Sequence, residues 1–363
     1  MKRSSAYASV LSYLLMPLAI GCSMGPSLNL NAPGGSDGTG QTQIPDPFQP
    51  VTTGGQPPPP GGALYVVQLP FDYLHSPSYI LEFAKGSSGN EKPISEITGP
   101  AGVYFNEIAV DAAGDLLVQG VRDSDYAFDV YIYPAGASGI ATPSGVITAT
   151  NASALCLDSA GKLYTIGNGL NYGIRVYDPT TPAAPPLRTI PLPQQLNSVH
   201  NMTVDSSGNI YLLNLGMAQN SAVVVLSTTG SSASLLANIS GPATGLSNPT
   251  GIAVDSTGNM YVGAYDPTMR TGRILVFAPG ANGDASPVRT IVGSKTQLGP
   301  IQGIRVDKAG TVYVTAASVP GLPQHILTFA AGASGDVAPL SDLAPATSPV
   351  NHMAENFGQL AVL

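Results

Sequence analysis

Two short β-strands and a tight turn are predicted by Gly251-Ile252-Ala253-Val254-Asp255-Ser256-Thr257-Gly258-Asn259-Met260-Tyr261-Val262-Gly263. Ile252 and Val254 alternate with small residues, which is the period of a strand. Asp255 can accept hydrogen bonds from the amides of its own turn, and Gly258 can adopt a positive φ. The residues after the turn favour strands. This hairpin recurs along the chain, and its recurrence decides the fold.

The hairpin is one part of a repeat of about 50 residues. In each copy an apolar strand ends in an acid, a glycine follows three residues later, and a second strand begins. The acids are Asp111, Asp158, Asp205, Asp255, Asp307 and, in a degenerate last copy, Glu355. A second pair of strands follows each hairpin, as in Arg273–Phe277 and Pro287–Val292. Four strands per repeat and six repeats predict an all-β, six-bladed β-propeller of four-stranded blades over residues 62–363.

The two ends of the repeat region predict one blade shared by the N- and C-terminal strands. Residues 62–67 look like a second strand with no first strand before it, whereas residues 351–363 look like a first strand followed by a second. Five complete blades and this shared blade give six. Because a second strand is then present twice, at 62–67 and at 358–363, a seven-bladed ring is the alternative.

The N-terminal region predicts export and a lipid anchor. In residues 1–21, two basic residues precede an apolar stretch too short to span a membrane, which is typical of a signal peptide. Leu18-Ala19-Ile20-Gly21-Cys22 resembles the lipobox of bacterial lipoproteins, in which the cysteine is lipidated. The resemblance implies an anchor at Cys22 in the bacterial cell envelope. Ser23 is not acidic, which favours the outer membrane. An ordinary secretory signal is the alternative.

Composition limits the remaining possibilities. Residues 22–61 are rich in proline and glycine and poor in apolar residues, so we expect a disordered tether. The chain has 14 basic and 22 acidic residues, a net charge of −8 and no basic patch, which argues against nucleic acid as a partner. The second cysteine, Cys156, falls in an apolar run and is expected to be buried, so no disulfide is predicted.

The repeat resembles a known kind of propeller. The hairpin at 251–263, followed by Gly272-Arg273-Ile274-Leu275-Val276-Phe277, resembles NHL-type repeats. Residues 62–363 are also similar to the wider group of six-bladed propellers that contains the gluconolactonases. Members of the first family mostly bind proteins, glycans or other ligands. Relatives in the wider group hydrolyse lactones and esters with a bound divalent cation. The resemblance thus specifies the architecture and leaves the activity open.

Candidate site residues lie four positions before each turn acid, where the innermost strands begin. In a propeller these positions converge on one mouth of the axial channel, where many loops meet. The column holds Glu107, Ala154, Asn201, Gly251, Gly303 and Asn351. One carboxylate and two amides can bind Ca²⁺ through oxygen, which makes Glu107, Asn201 and Asn351 the candidate metal ligands. They also resemble part of the gluconolactonase metal site, whose aspartate has no counterpart in this chain. Polar lining of a water-filled channel is the alternative.

Polar residues beside this column are candidate ligand-binding residues: Asn106, His200, Gln302 and His352. The turn acids are predicted to be structural, because each recurs at the same turn of a different blade. The repeat tyrosines Tyr164, Tyr211, Tyr261 and Tyr313 are predicted to pack between blades. No catalytic motif for a serine hydrolase, a metalloprotease or a phosphate loop occurs in the sequence.

These observations favour an envelope-anchored, monomeric propeller that binds a protein, a glycan or a small molecule at the channel mouth without catalysis. The alternative is a metal-dependent lactonase or esterase-like hydrolase with its site at the same mouth. A purely structural surface protein is a third reading.

Overall fold

The computed structural model describes residues 62–69, 77–148, 150, 152–167, 173–192, 196, 199–215, 221–228, 232–317, 324–344 and 356–363. All of them belong to the unit Pro50–Leu363. The predicted signal at 1–21, the lipidation site Cys22, the tether at 22–61, Asn351 and His352 lie outside the described residues. Within the described ranges, no helix has the length and apolar character needed to cross a membrane.

Six four-stranded antiparallel sheets form the blades of a β-propeller, which confirms the predicted fold. The strands are β1 (Ala63–Leu69), β2 (Tyr79–Ala84), β3 (Ser95–Thr98), β4 (Val103–Val110), β5 (Leu116–Arg122), β6 (Phe128–Tyr133), β7 (Gly145–Ile147), β8 (Ala152–Leu157), β9 (Leu163–Gly167), β10 (Gly173–Tyr177), β11 (Arg188–Pro191), β12 (Val199–Val204), β13 (Ile210–Asn214), β14 (Ala222–Ser227), β15 (Ser234–Ile239), β16 (Pro249–Val254), β17 (Met260–Asp266), β18 (Thr271–Phe277), β19 (Arg289–Ile291), β20 (Ile301–Val306), β21 (Val312–Ala317), β22 (Gln324–Phe329), β23 (Ser341–Leu343) and β24 (Asn356–Val362). We number the blades along the chain, so that blade 1 is β4–β7 and blade 5 is β20–β23. Blade 6 is β24, β1, β2 and β3.

Blade 6 joins the two ends of the propeller. Its innermost strand is β24, which pairs with β1 so that Leu64 lies opposite Val362. Residues 358–363 therefore belong to the first strand of this blade and are not a second copy of its second strand, which excludes the seven-bladed alternative. The amide of Leu363 donates to the carbonyl of Ala63 over 3.0 Å. Leu363 and Ala63 thus meet where the other blades have a hairpin turn.

Each inner strand carries an irregularity in register near its start, and this aligns the blades residue by residue. In blade 1 the shift lies between Phe105 and Glu107. In blade 6 the pairing of β24 shifts between Phe357, opposite Gln68, and Leu360, opposite Val66. Gln359 therefore holds the position in blade 6 that Glu107 holds in blade 1. The repeat alignment that placed Asn351 in this column is corrected by this register.

The turn aspartates hold the inner hairpins together, as their recurrence predicts. Oδ1 of Asp255 accepts hydrogen bonds from the amides of Thr257 and Asn259 at 2.9 and 3.0 Å. Its Oδ2 accepts from the side chain of Asn259 and from the hydroxyl of Tyr261, at 2.9 and 3.1 Å. Gly258, with φ of 85°, completes the turn. Tyr261 is buried and packs with apolar residues of blade 5, so the repeat tyrosine also joins neighbouring blades.

A second set of contacts links the blades at the outer rim. Among the described residues, four glycines, each in the loop between the third and fourth strands of a blade, pair with the outer strand of the preceding blade. These rim bridges are Gly89 with Leu343, Gly139 with Ile97, Gly283 with Ile239, and Gly335 with Ile291. At one bridge, the amide of Gly283 donates to the carbonyl of Asn238 over 2.9 Å, and its carbonyl accepts from Ser240 over 3.0 Å. All four glycines have φ between 63° and 73°, a region that favours glycine.

Candidate ligand site in the axial channel

The inner strands bring one position from every blade to the same level around the axis. This column consists of Glu107, Ala154, Asn201, Gly251, Gly303 and Gln359. Two residues further along the strands, a second level consists of Ala109, Cys156, Thr203, Ala253, Arg305 and Ala361. The structure therefore brings the predicted residues Glu107 and Asn201 to one level, adds Gln359 to them, and places Arg305 and Cys156 directly below.

Glu107 is a buried carboxylate without a hydrogen-bond partner at Oε2. Glu107 is only 4% exposed. Burial raises the pKa of Glu107 to about 8, although the positive charge of Arg305 opposes this shift. A carboxyl group with such a pKa is largely protonated at neutral pH. It can then donate one hydrogen bond and still accept others.

Arg305 enters the channel from blade 5, on the opposite side of the ring from blade 2 and Cys156. Its Nη1 donates to the carbonyl of Ile304 over 2.8 Å. Its charge acts on Glu107 and on Cys156, yet no ion pair within 4.0 Å joins it to Glu107 in the part of the chain that the structure describes. Arg305 remains partly accessible although it is deep in the protein, as expected for a side chain within a channel.

Arg305 was not among the residues predicted from the sequence. The signal was present in the repeat itself, because Ile304-Arg305-Val306-Asp307 aligns with Ile252-Ala253-Val254-Asp255. A long cation replaces alanine at a position that faces the channel. A residue that differs from its equivalent in another repeat, at an inner-strand position, is thus as informative as the column of candidate site residues.

Cys156 is a free cysteine that is partly accessible. Burial raises the pKa of its thiol to about 12, and the nearby charge of Arg305 only partly offsets this. The thiol is therefore protonated at physiological pH, and it lacks the thiolate that a nucleophilic cysteine requires. Cys156 is only partly buried, which corrects the expectation of a buried cysteine, and it packs against the core shared by blades 2 and 3.

Three amide side chains link neighbouring blades around the channel. Nε2 of Gln119, a residue opposite Glu107 in blade 1, donates to the carbonyl of Ala152 in blade 2 over 2.8 Å. Nε2 of Gln359 donates to the carbonyl of Gln302 over 2.8 Å. Each leaves its Oε1 buried without a partner. Asn201 differs, because its Oδ1 accepts the amide of Ile252 over 3.3 Å.

Gly303 makes room for one of these amides. A β-carbon at Gly303 would stand 3.1 Å from Oε1 of Gln359 and 3.1 Å from Oγ1 of Thr315. Both distances are tighter than ordinary van der Waals contact. Glycine in this column is therefore part of the site, since it allows Gln359 to lie against blade 5.

Three of the predicted ligand-binding residues, Asn106, His200 and Gln302, lie one position before the column. Asn106 and His200 are half-buried there, and burial lowers the pKa of His200, which favours the neutral imidazole. Gln302 is exposed, and its backbone carbonyl accepts the hydrogen bond from Nε2 of Gln359. His352 and Asn351 lie outside the described residues, so their role in a site stays a prediction.

The described donor set fits a divalent cation poorly. Glu107 and Gln359 offer unpartnered oxygens, as Ca²⁺ requires. However, the oxygen of Asn201 already accepts a backbone amide, and the guanidinium of Arg305 repels a second cation near Glu107. No group of three histidine, cysteine or acidic side chains suited to a metal occurs among the residues described. We therefore derive no chemistry through a metal.

The comparisons with known proteins agree with the fold. No family model and no curated protein matches the chain. Among solved structures, a candidate 6-phosphogluconolactonase from Bacteroides uniformis aligns with a TM-score of 0.51 at 14% identity, over 80% of this chain and 85% of that one. TolB from Acinetobacter baumannii aligns with a TM-score of 0.52 at 11% identity, over 83% and 66% of the two chains. At this level of identity the similarity shows the propeller fold and no activity.

Proposed function

We propose that this protein is an envelope-anchored β-propeller that binds a ligand at the mouth of its axial channel and has no catalytic activity of its own. The observation that carries the proposal is the set of three buried acceptor oxygens without partners, on Glu107, Gln119 and Gln359. A buried acceptor without a donor costs about 1–3 kcal/mol, which a bound molecule with suitable donors recovers. The ligand that this arrangement favours is rich in hydroxyl or amine groups, such as a glycan or a small polar molecule.

Binding assays with the propeller test this proposal. A glycan array identifies candidate ligands, and calorimetry then compares the wild type with Glu107→Ala and Gln359→Ala. We expect both variants to weaken binding by about tenfold, because each removes one buried polar contact. Lys308→Ala, in an exposed turn at the other end of β20, is the matched control and leaves binding unchanged. Equal binding by all four proteins contradicts a site in the channel.

The second candidate function is hydrolysis of a lactone or an ester. The observation that favours it is the pKa of about 8 for Glu107, since a group that titrates near neutral pH can transfer a proton in catalysis. Turnover of a lactone that follows a pKa near 8 and is abolished in Glu107→Gln supports this function. With that result, hydrolysis and not binding alone would be the function of the channel.

The proposed location is tested separately. Cys22→Ala removes the residue that the lipobox resemblance assigns to the lipid. We expect the wild-type protein in the outer-membrane fraction and the variant in a soluble envelope fraction. A monomer in size-exclusion chromatography of the released variant agrees with the expected oligomeric state, and a membrane-bound variant contradicts the anchor at Cys22.

A further inference from the structure

The four rim bridges follow one rule at the atomic level. In each, the residue before the bridged position of the outer strand offers its carbonyl, and the residue after it offers its amide. For Ile291 these groups belong to Thr290 and Val292, which bind the amide and the carbonyl of Gly335 at 2.7 and 3.1 Å. The outer strand of a blade thus has a free edge, and a glycine from the next blade pairs with it.

Among the residues that the structure describes, none forms a rim bridge with the edge of β7, in blade 1. Ile147 occupies the position of Ile291, with Val146 before it and Thr148 after it. In the part of the chain that the structure describes, no hydrogen bond engages the carbonyl of Val146 or the amide of Thr148. Val146 is half-buried and Thr148 is exposed, so solvent reaches this edge at Thr148. The edge of β7 thus has the carbonyl and the amide that a rim bridge requires, and no described glycine of blade 2 pairs with them.

The cause lies in the loop of blade 2 that follows β10. Residues 178–187 contain four prolines and no glycine. Proline has no amide to donate, and residues other than glycine rarely adopt the positive φ found at all four bridges. Pro182 instead packs against Gly145, where a β-carbon would stand 2.6 Å from its Cγ. The loop therefore covers the start of β7 and leaves its end open.

An open groove of about 440 Å³ lies at this uncovered end. Ile147 and Thr148 form one side of it, and Tyr177 and the proline-rich loop form the other. The only charged side chain in its lining is Arg175, whose Nη1 donates to the carbonyl of Thr150 over 3.0 Å. The groove thus combines a strand edge, an aromatic ring and one positive charge.

We propose that the β7 edge and this groove bind an extended segment of a partner protein that carries a small residue, a glycine and an aspartate in sequence. The chain itself shows what such an edge accepts. Its bridging segments are Ser88-Gly89-Asn90, Ser138-Gly139-Ile140, Asn282-Gly283-Asp284 and Ser334-Gly335-Asp336. The partner segment pairs in the same parallel direction, with its glycine opposite Ile147.

The aspartate of the segment is favoured for two reasons. In two of the four bridges, Asp284 and Asp336 accept backbone amides of Ala243 and Lys295, each over 2.7 Å. In the groove beside β7, Arg175 provides a positive charge that favours an acidic side chain. The site lies at the outer rim and does not depend on the function proposed for the channel.

A peptide with the sequence of residues 330–339, Ala-Ala-Gly-Ala-Ser-Gly-Asp-Val-Ala-Pro, is the probe. Fluorescence polarisation of the labelled peptide measures its binding to the wild-type protein, to Thr148→Pro and to Thr148→Ser. Proline at position 148 has no amide to donate. It favours an extended conformation of the residue before it, Ile147, which is already in a strand. We expect saturable binding by the wild type and by Thr148→Ser, and at least about tenfold weaker binding by Thr148→Pro.

A second peptide tests the geometry. Valine in place of the glycine that corresponds to residue 335 disfavours the positive φ, so we expect it to bind much more weakly than the parent peptide. Thermal melting confirms that Thr148→Pro is folded. The proposal is overturned by equal binding of both peptides, by equal binding to both Thr148 variants, or by no binding at millimolar peptide. Self-association that Thr148→Pro abolishes would assign the edge to a second copy of this chain and would also overturn it.

Discussion

The hydroxyl of Tyr65 donates a hydrogen bond to Oε1 of Glu82 over 3.4 Å in the blade that closes the ring. In blades 3, 4 and 5 the equivalent tyrosine donates to the turn aspartate, each time over 3.1 Å. Blade 6 has no turn aspartate, because its hairpin is interrupted between Leu363 and Gly62. Glu82, from the neighbouring strand, supplies the acceptor that the interrupted turn cannot.

We expect Tyr65→Phe to lower the free energy of unfolding by about 1 kcal/mol, the usual worth of one hydrogen bond. Burial raises the pKa of Glu82, whereas the hydrogen bond from Tyr65 lowers it. Loss of this hydrogen bond in Tyr65→Phe therefore raises the pKa of Glu82 further. Urea denaturation measures the change. Glu82→Gln retains an acceptor for the hydroxyl and is the control. A loss of stability in Glu82→Gln as large as that in Tyr65→Phe would contradict the role of this bond.

Glu107 makes stability depend on pH. Its pKa is about 8 in the folded protein and 4.5 as the reference for the unfolded chain. Between these values the folded state holds one proton more than the unfolded state, so the free energy of unfolding falls as pH rises. Glu107→Gln removes this contribution, and we expect it to be more stable than the wild type at pH 8 by on the order of 1–3 kcal/mol.

Chemical denaturation of both proteins from pH 4 to pH 9 measures this difference. The advantage of the variant is expected to shrink as pH falls and to vanish near pH 4.5, the unfolded reference. Two parallel curves over the whole range would show that Glu107 is ionised in the folded protein at neutral pH.

Gly283→Val tests the rim bridges. Gly283 has φ of 64°, and a left-handed conformation costs an L-residue roughly 1–2 kcal/mol, with more for a β-branched one. We therefore expect a loss of about 1–3 kcal/mol in the free energy of unfolding. Val288→Ala, five residues later and 58% exposed, is the control with a change below about 0.5 kcal/mol. Similar small changes in both variants would show that the bridge does not contribute.

Cys156 is expected to resist alkylation in the folded protein. Because burial raises the pKa of its thiol to about 12, little thiolate exists at pH 8. We expect iodoacetamide to modify Cys156 at least about tenfold more slowly in native protein than in concentrated urea. Peptide mass spectrometry separates this site from Cys22. Equal rates in both conditions would show that the channel does not protect the thiol.

The fold could be predicted from the sequence because the same hairpin pattern recurs along the chain. Asp255 and Gly258 define a turn wherever they recur, and the apolar pattern before them places an inner strand. The same dependence on the turn caused the one error of alignment. The last copy was aligned on Glu355 and Gly358, whereas Leu360, Ala361 and Val362 match Ile252, Ala253 and Val254 of the inner strand. Leu363 then occupies the position of Asp255, and the hairpin is completed by Gly62.

The site was harder to predict than the fold. Glu107 was selected because it interrupts a column of small residues, and its burial is visible only after the blades are assembled. Gln119 lies on the second strand, and its contribution depends on the pairing that places it opposite Glu107. The open edge of β7 could not be predicted from any single copy. It results from a proline-rich loop in one blade and a strand edge in the preceding one.

The shared blade has a consequence for folding. β24 follows all the other described strands in the chain, and it pairs with β1, so that Leu64 and Val362 meet across about 300 residues of sequence. Contacts of such separation require a large loop to close and form slowly. Until β24 pairs with β1, the propeller has five blades and an incomplete sixth. The ring closes only at that step, and before it the edge of β1 is open to pairing with other chains.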